Sequence, residues 1–174
     1  WKETLAPMHF WEWVDWQKKH KRTVKIFTNT KIACWNVNSI RTRKVHVRDW
    51  ILDEQPDILA LQETKVRDEE FPISFFDEIG YGVIFYGQPS YNGVAMAYRK
   101  SIFHNPTQIT KNISGYKDNQ TRLIAGMFEH KKLRKSIRVI CVYVPNGSEI
   151  GSDKFAYKLG WLQSLVAFIE KEKK

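Results

Sequence analysis

The sequence predicts an α/β fold in which helices pack on a mixed sheet, and three observations carry that prediction. Short apolar runs bounded by turn residues recur from Lys31 onward. Val47, Trp50 and Ile51 fall at helical spacing between the first two of those runs. A long amphipathic pattern follows Ser152 and closes the chain. At 174 residues, 43% hydrophobic and 14% aromatic, the chain is long enough for one domain with a real core, or for part of one.

Residues 1–30 stand apart as an atypical leader. HFWEWVDW (9–16) concentrates tryptophans, QKKHKR (17–22) is a basic run, and neither shows a clean helical stripe. Stacking aromatics beside cations would suit a nucleic-acid-binding arm; a packed extension, or a start upstream of the true domain, is preferred because nothing here fixes a chemistry. The domain proper is set at 31–174. Lys31–Val37 reads as a strand covered on both faces, and Arg43–Glu54 as a helix that stops at Gln55, because the residue before a proline is pushed out of the α region. Asp57–Gln62 is a second apolar strand, and Ile73–Ile79 a short helix ending at Gly80. Tyr81–Tyr86, Gly93–Arg99, Arg122–Glu129 and Ile137–Val144 read as strands, separated by GQPSYNG, by a polar loop over 104–120 and by HKKLRKS. In the last helix Ser152 suits the N-cap, and Phe155, Leu159, Leu162, Val166 and Ile169 fall on one stripe expected to be buried.

Lys and Arg number 28 against 19 Asp and Glu, a net charge of +9. Such an excess favours a polyanionic partner, because phosphates attract it and counterion release drives binding; a soluble basic protein without such a partner has the same charge. Cys34 and Cys141 both sit in apolar runs, KIACW and VICVYV, and read as buried reduced thiols of a cytoplasmic protein. No CxxC or Cys/His cluster suggests zinc. No apolar run approaches the roughly 20 residues of a membrane span, and no signal-peptide pattern is present. The chain begins at Trp1 rather than Met and closes in EKEKK, so both ends read as cuts.

Two polar groups lie where sheet enzymes place their sites, at strand exits: Asn36-Val37-Asn38 and Gln62-Glu63-Thr64-Lys65. Glu63 offers a carboxylate to a hard cation such as magnesium, which takes oxygen ligands and keeps several waters. A solvated glutamate after a strand explains Glu63 as well.

KIACWNVNSIRTR, QPDILALQETKV, YGQPSYNGVAMAYRK, DNQTRLIAGMFE and VICVYVPNGSEIGSDKFAYKLGWLQSLVAFI resemble successive blocks of the bacterial exonuclease III / AP-endonuclease family. They follow the family's order and approximate spacing over about residues 31–170. The resemblance implies a DNase I-like fold, a four-layer α/β sandwich with mixed, mainly antiparallel sheets, of which this chain holds the N-terminal half. It implies a DNA-repair nuclease that hydrolyses phosphodiester bonds at abasic sites and DNA 3′ ends. Its cofactor would be Mg2+, with Mn2+ as an alternative, and its partner double-stranded DNA, bound as a monomer when complete and with no membrane involved.

On the matching motifs, Glu63 resembles the family's metal-binding glutamate, and Asn36 the asparagine that orders the metal site. Tyr143 of VYVPNG resembles the active-site tyrosine, whose phenol donates to a phosphate oxygen. Arg41, Lys65, Tyr91, Asn92 and Arg122 resemble DNA-backbone contacts, which position a duplex without reading its sequence. The family's later motifs, Gly-Asp-Phe-Asn and a C-terminal Asp-His pair, are absent, and His9, His20, His46, His104 and His130 do not replace them. The resemblance therefore implies a chain that is inactive alone, with one apolar sheet face left uncovered. Phosphoinositide phosphatases, sphingomyelinases and deadenylases share the superfamily, but QPSYNGVA and VYVPNG favour the DNA-repair branch. A non-catalytic nucleic-acid-binding module accounts equally for the charge and the missing motifs.

Overall fold

The computed structural model of the chain describes residues 23–26 and 30–173. The elements are β1 (Thr23–Ile26), β2 (Thr30–Asn36), α1 (Ile40–Glu54), β3 (Ile58–Gln62), a 3-10 turn (Asp68–Glu70), α2 (Ile73–Glu78), β4 (Tyr81–Tyr86), β5 (Val94–Arg99), β6 (Thr107–Lys111), β7 (Leu123–Glu129), β8 (Ser136–Val142) and α3 (Asp153–Glu172). They form a five-stranded sheet of order β1-β2-β3-β5-β4 and a three-stranded sheet β6-β7-β8. Only β2 and β3 run parallel; every other pairing is antiparallel. A parallel pair needs a crossover, and α1 supplies it.

Side-chain alternation along the strands builds the layers. On β3, Leu59 and Leu61 join Ala95 and Ala97 of β5 beneath Val47, Ile51, Phe75 and Phe76 of α1 and α2. Their neighbours Ile58, Ala60, Val94 and Met96 point the other way and meet Ile124, Phe128 and Cys141 of the smaller sheet. Leu123 and Ala125 then face outward against Trp161 and Phe168 of α3. Helix, sheet, sheet and helix are thus all present. The expectation that half a fold would leave a sheet face bare is corrected: β7 and β8 close over β3 and β5, and what remains open is the β2 margin, where Cys34 is exposed. For the same reason β2 is not covered on both faces. Ala33 and Val37 are buried under the helices, whereas the smaller sheet does not reach as far as Cys34.

Local signals placed most elements within a residue or two. Ser39 caps α1 by accepting from the Thr42 amide, so the helix begins at Ile40, three residues before the predicted start at Arg43. Gln55 ends α1 in the left-handed region (φ 44) ahead of Pro56. Ser152 caps α3 through the Phe155 amide, 3.2 Å away. The polar stretch read as a loop contains β6, an edge strand with a register shift between Thr107 and Thr110 and Gln108 at φ 48. Its side chains are almost all exposed, so it carries no apolar alternation to read. β1 lies within the supposed leader and pairs with β2, Thr23 opposite Ala33; the Trp-rich and basic segments at 9–22 lie outside the described residues.

The buried stripe on α3 also differs from the sequence reading. Trp161 and Phe168 are buried, while Leu159 is 47% and Val166 61% exposed; Leu162 and Ile169 pack only at the margin. The helix is apolar on two faces, and the smaller sheet takes the aromatic one.

The cysteines separate as well. Cys141 is buried, and burial pushes its thiol up to about 12 against a partial offset by a Gln62 hydrogen bond. Cys34 is exposed, which corrects the reading of both as buried. Only the thiolate attacks, so iodoacetamide at about pH 8 should label Cys34 alone, with Cys141 following only in denaturant. Equal labelling of both in the native chain, read by mass spectrometry, would contradict this packing. Among the described residues no helix is long and apolar enough to cross a membrane.

Candidate active site

The parallel pair brings two chain exits to one edge, with Asn36 opposite Gln62 in register. Backbone hydrogen bonds then stitch the loops beyond them. Val37 N donates to Gln62 O (3.0 Å), Ser39 N to Glu63 O (2.7 Å), Thr64 N to Gly93 O (3.2 Å) and Lys65 N to Asn92 O (3.0 Å). Gly93 N donates to Thr121 O (3.0 Å), and Tyr143 N to Arg122 O (2.8 Å). Every residue of the predicted site except Arg41 and Tyr91 lies on this seam.

The seam holds unusual backbone. Asn38, Ser39, Glu63, Lys65, Ser90 and Asn92 all have positive φ, as does Gly93 at +88°. Non-glycine residues enter that region at a cost of about 1–3 kcal/mol each and persist where the surroundings over-determine them, commonly at functional sites. Gly93 is required here: a Cβ would stand 2.2 Å from Thr64 Oγ1. Gly93→Ala should therefore destabilise the chain by about 2–3 kcal/mol and loosen the Glu63 loop. Gly115→Ala is the control, with a similar φ of +83° and open space around it. Equal thermal midpoints for the two variants would show that the Gly93–Thr64 contact carries no constraint.

Glu63 is the centre of the side-chain cluster. Asn36 Nδ2 donates to its Oε1 at 2.6 Å, and Lys65 Nζ lies 3.0 Å from its Oε2. Lys65 also donates to Asn38 Oδ1, and Asn36 Oδ1 accepts from the Asn38 amide at 3.1 Å. Burial alone would raise the Glu63 carboxyl; hydrogen bonds from Asn36, Lys65 and Tyr143, with the Lys65 charge, outweigh it and hold the carboxyl below the ordinary range. Tyr143 responds in the opposite direction: burial and the Glu63 carboxylate push its phenol up, so the hydroxyl stays protonated as a donor. The cluster is thus an anionic oxygen pair in a basic, half-buried frame, with a neutral O–H donor beside it.

The predicted DNA contacts divide. Tyr91 is 69% exposed at the loop tip, and the Arg41 side chain lies in solvent with Glu70 3.2 Å away. Asn92 is buried, its amide donating to Gln88 and Gln120. Arg122 is only 8% exposed and its guanidinium is consumed by Gln120 and the Tyr143 carbonyl. Neither side chain stands open to a ligand. The sequence reading placed Asn38 in a strand-exit polar group but missed it as a partner of Lys65, and missed Gln120, Asp118 and Tyr157 around Arg122; the polar string DNQTR was the only local signal for Asp118 and Gln120. Among the described residues no group of three or more His, Cys, Asp or Glu could hold a metal ion.

The profile of the Endonuclease/Exonuclease/phosphatase family matches residues 33–170. The chain is 32% identical over 144 residues to exodeoxyribonuclease III of Haemophilus influenzae, covering 82% of this chain and 52% of that protein. It is 30% identical over 147 residues to a DNA repair nuclease of Danio rerio, covering 81% and 44%. Among solved structures, a 3′ phosphatase from Neisseria bound to a product DNA hairpin superposes with a TM-score of 0.75 at 35% identity, over 83% of this chain and 52% of that one. An AP endonuclease from Archaeoglobus fulgidus gives 0.72 at 39% identity, over 82% and 51%. The two-sheet α/β architecture matches these DNase I-like structures, and the chain spans about half the length of the relatives it matches. On a profile match running through nearly all of the described residues, the chain belongs to the endonuclease/exonuclease/phosphatase family.

Proposed function

We propose that this chain is the N-terminal part of a divalent-metal-dependent phosphodiesterase of the exodeoxyribonuclease III type, acting on double-stranded DNA at abasic sites and 3′ ends. The observation that carries the reading is the convergence of Glu63, Asn36, Lys65 and Tyr143 at the exits of β2, β3 and β8. Two relatives in sequence are named as exodeoxyribonucleases, and one structural neighbour holds DNA.

The donor set fits a hard cation. Glu63 supplies a carboxylate oxygen already facing a cation, the Lys65 ammonium, and Asn36 supplies an amide on the same edge. Magnesium binds through one or two carboxylates, its own waters and substrate phosphates. Glu63 and Asn36 would hold the ion, Mg2+ or in its place Mn2+, which when bound polarises a phosphate oxygen as a Lewis acid. Lys65 balances the Glu63 charge in the free protein and would be able to turn to a phosphate if Glu63 held a cation instead. Tyr143 donates a hydrogen bond to a phosphate oxygen without adding charge. The free thiols of Cys34 and Cys141 favour a reducing compartment, the cytoplasm.

In this reading Arg41 and Lys65 meet the duplex backbone, with Tyr91 at the rim; the exposure of Arg41 and Tyr91 supports it. In fluorescence anisotropy on a duplex carrying one abasic analogue, Arg41→Gln and Lys65→Gln should each flatten the slope of log K against log salt, by about 0.9 per lost phosphate contact. The weakening should be uniform across sequences. Unchanged slopes in both variants would remove this face as the DNA-binding surface.

A further inference from the structure

Arg122 is a buried cation with no ion-pair partner among the described residues. It is 8% exposed, and no carboxylate among the described residues forms an ion pair with it. Burying a charge without such a partner is costly unless its donors are met in other ways. Here they are met by oxygens and rings. Nε donates to Gln120 Oε1 at 3.0 Å, Nη2 to the same oxygen at 2.5 Å, and Nη1 to the Tyr143 carbonyl at 3.3 Å. The guanidinium lies 5.0 Å from the Tyr143 ring centroid and 5.9 Å from that of Tyr157. A planar guanidinium stacks on aromatic faces while its edge hydrogen-bonds, which an ammonium cannot do.

Each phenol in turn meets a carboxylate. Burial and then the nearby Glu63 carboxylate push the Tyr143 phenol up, and Tyr157 donates to Asp118 Oδ2 at 2.8 Å. The cation is therefore balanced through two tyrosines, one from the strand exit and one from α3. Gln120 Oε1 also accepts from Asn92 Nδ2 at 3.1 Å, and Asn92 sits next to the exposed Tyr91. A single amide oxygen thus joins the rim loop to the arginine behind the site.

We propose that Arg122 is a positioning residue, clamped between Tyr143 and Tyr157, that fixes where Tyr143 holds its hydroxyl over Glu63 and links that setting to the Tyr91 loop through Gln120 and Asn92. It replaces the expected role of Arg122 as a phosphate contact, and its consequence for catalysis rests on the phosphodiesterase reading above. The prepaid order matters because a donor misplaced by a fraction of an ångström loses much of its worth in a transition state.

The first arm uses the 174-residue chain with ring-labelled tyrosines observed by NMR. Arg122→Met keeps the volume and removes the fork, and Gln120→Met leaves the arginine but removes its acceptor. Both should shift and broaden the Tyr143 ring signals, assigned by their loss in Tyr143→Phe, while Tyr81, in the separate cluster beneath α1 and α2, stays in place. If Arg122→Met fails to fold, Gln120→Met decides. Unmoved Tyr143 signals in the folded variants overturn the proposal. Duplex binding by Arg122→Met should keep the wild-type salt slope; a slope flattened by about 0.9 makes Arg122 a phosphate contact and overturns it too.

The second arm uses the protein extended to the length of its relatives. Arg122→Met should lower kcat about 10–100-fold at unchanged KM, as the loss of a supporting residue behind a ligand does. The loss should vanish when Tyr143 is already Phe, because residues acting through one another are non-additive. Equal losses in both backgrounds overturn the clamp. If the extended protein cleaves nothing, the phosphodiesterase reading fails, and the ring signals alone still decide the positioning.

Discussion

If the proposed phosphodiesterase reading holds, Glu63→Gln should lower magnesium-supported cleavage of an abasic-site duplex by at least about a hundredfold in the protein extended to its relatives' length, equivalent to about 2.7 kcal/mol of transition-state stabilisation. Glutamine has nearly the same shape and still accepts from Asn36, so the loop geometry is kept. What it lacks is the charge that a hard cation needs and that Lys65 meets in the free protein. The backbone at Glu63 is left-handed (φ 53), its carbonyl accepts from the Ser39 amide, and the next two amides are held by Gly93 and Asn92, so the substitution leaves the seam intact. Circular dichroism and duplex affinity should stay close to wild type, and raising magnesium should recover part of the rate. Cleavage at the wild-type rate under limiting magnesium would remove Glu63 as a ligand. Binding with no cleavage in either protein would favour a non-catalytic nucleic-acid-binding module.

Trp161→Ala costs about 3–5 kcal/mol, because a fully buried indole leaves both lost burial and a cavity behind. Trp161 is 1% exposed and is the largest side chain on the face of α3 that seats on Leu123 and Ala125. Leu159→Ala and Val166→Ala should each cost under about 1 kcal/mol, since both side chains stand largely in solvent. The loss at Trp161 is a large fraction of a typical domain's 5–15 kcal/mol, so the variant is expected to melt broadly or to populate partly unfolded states at room temperature. Urea unfolding of the three variants separates the two faces of the helix. Equal costs at Leu159 and Trp161 would mean that α3 seats on the stripe first read from the sequence.

The amino-acid sequence alone determined the α/β class, most of the elements and the strand exits carrying Asn36 and Glu63. These are local properties: apolar runs such as DILALQ, a serine cap before α3 and a proline behind α1 act within a few residues of themselves. Family resemblance added Tyr143, whose strand gives no sign of chemistry by itself. Pairing in space decided the rest. β6 carries no apolar alternation because it lies exposed at a sheet edge, and only its ladder with β7 makes it a strand. The two apolar stripes of α3 lie roughly a third of a turn apart and are equally periodic, so only the fit of Trp161 and Phe168 against the smaller sheet chose between them. Cys34 and Cys141 look alike in sequence and differ because the smaller sheet ends short of β2. Arg122 and Asn92 read as surface contacts, but Gln120, 28 residues from Asn92, draws both side chains inward. A hydrogen bond between residues far apart in the chain leaves no periodic or local trace, so tertiary structure alone showed that these two side chains turn inward.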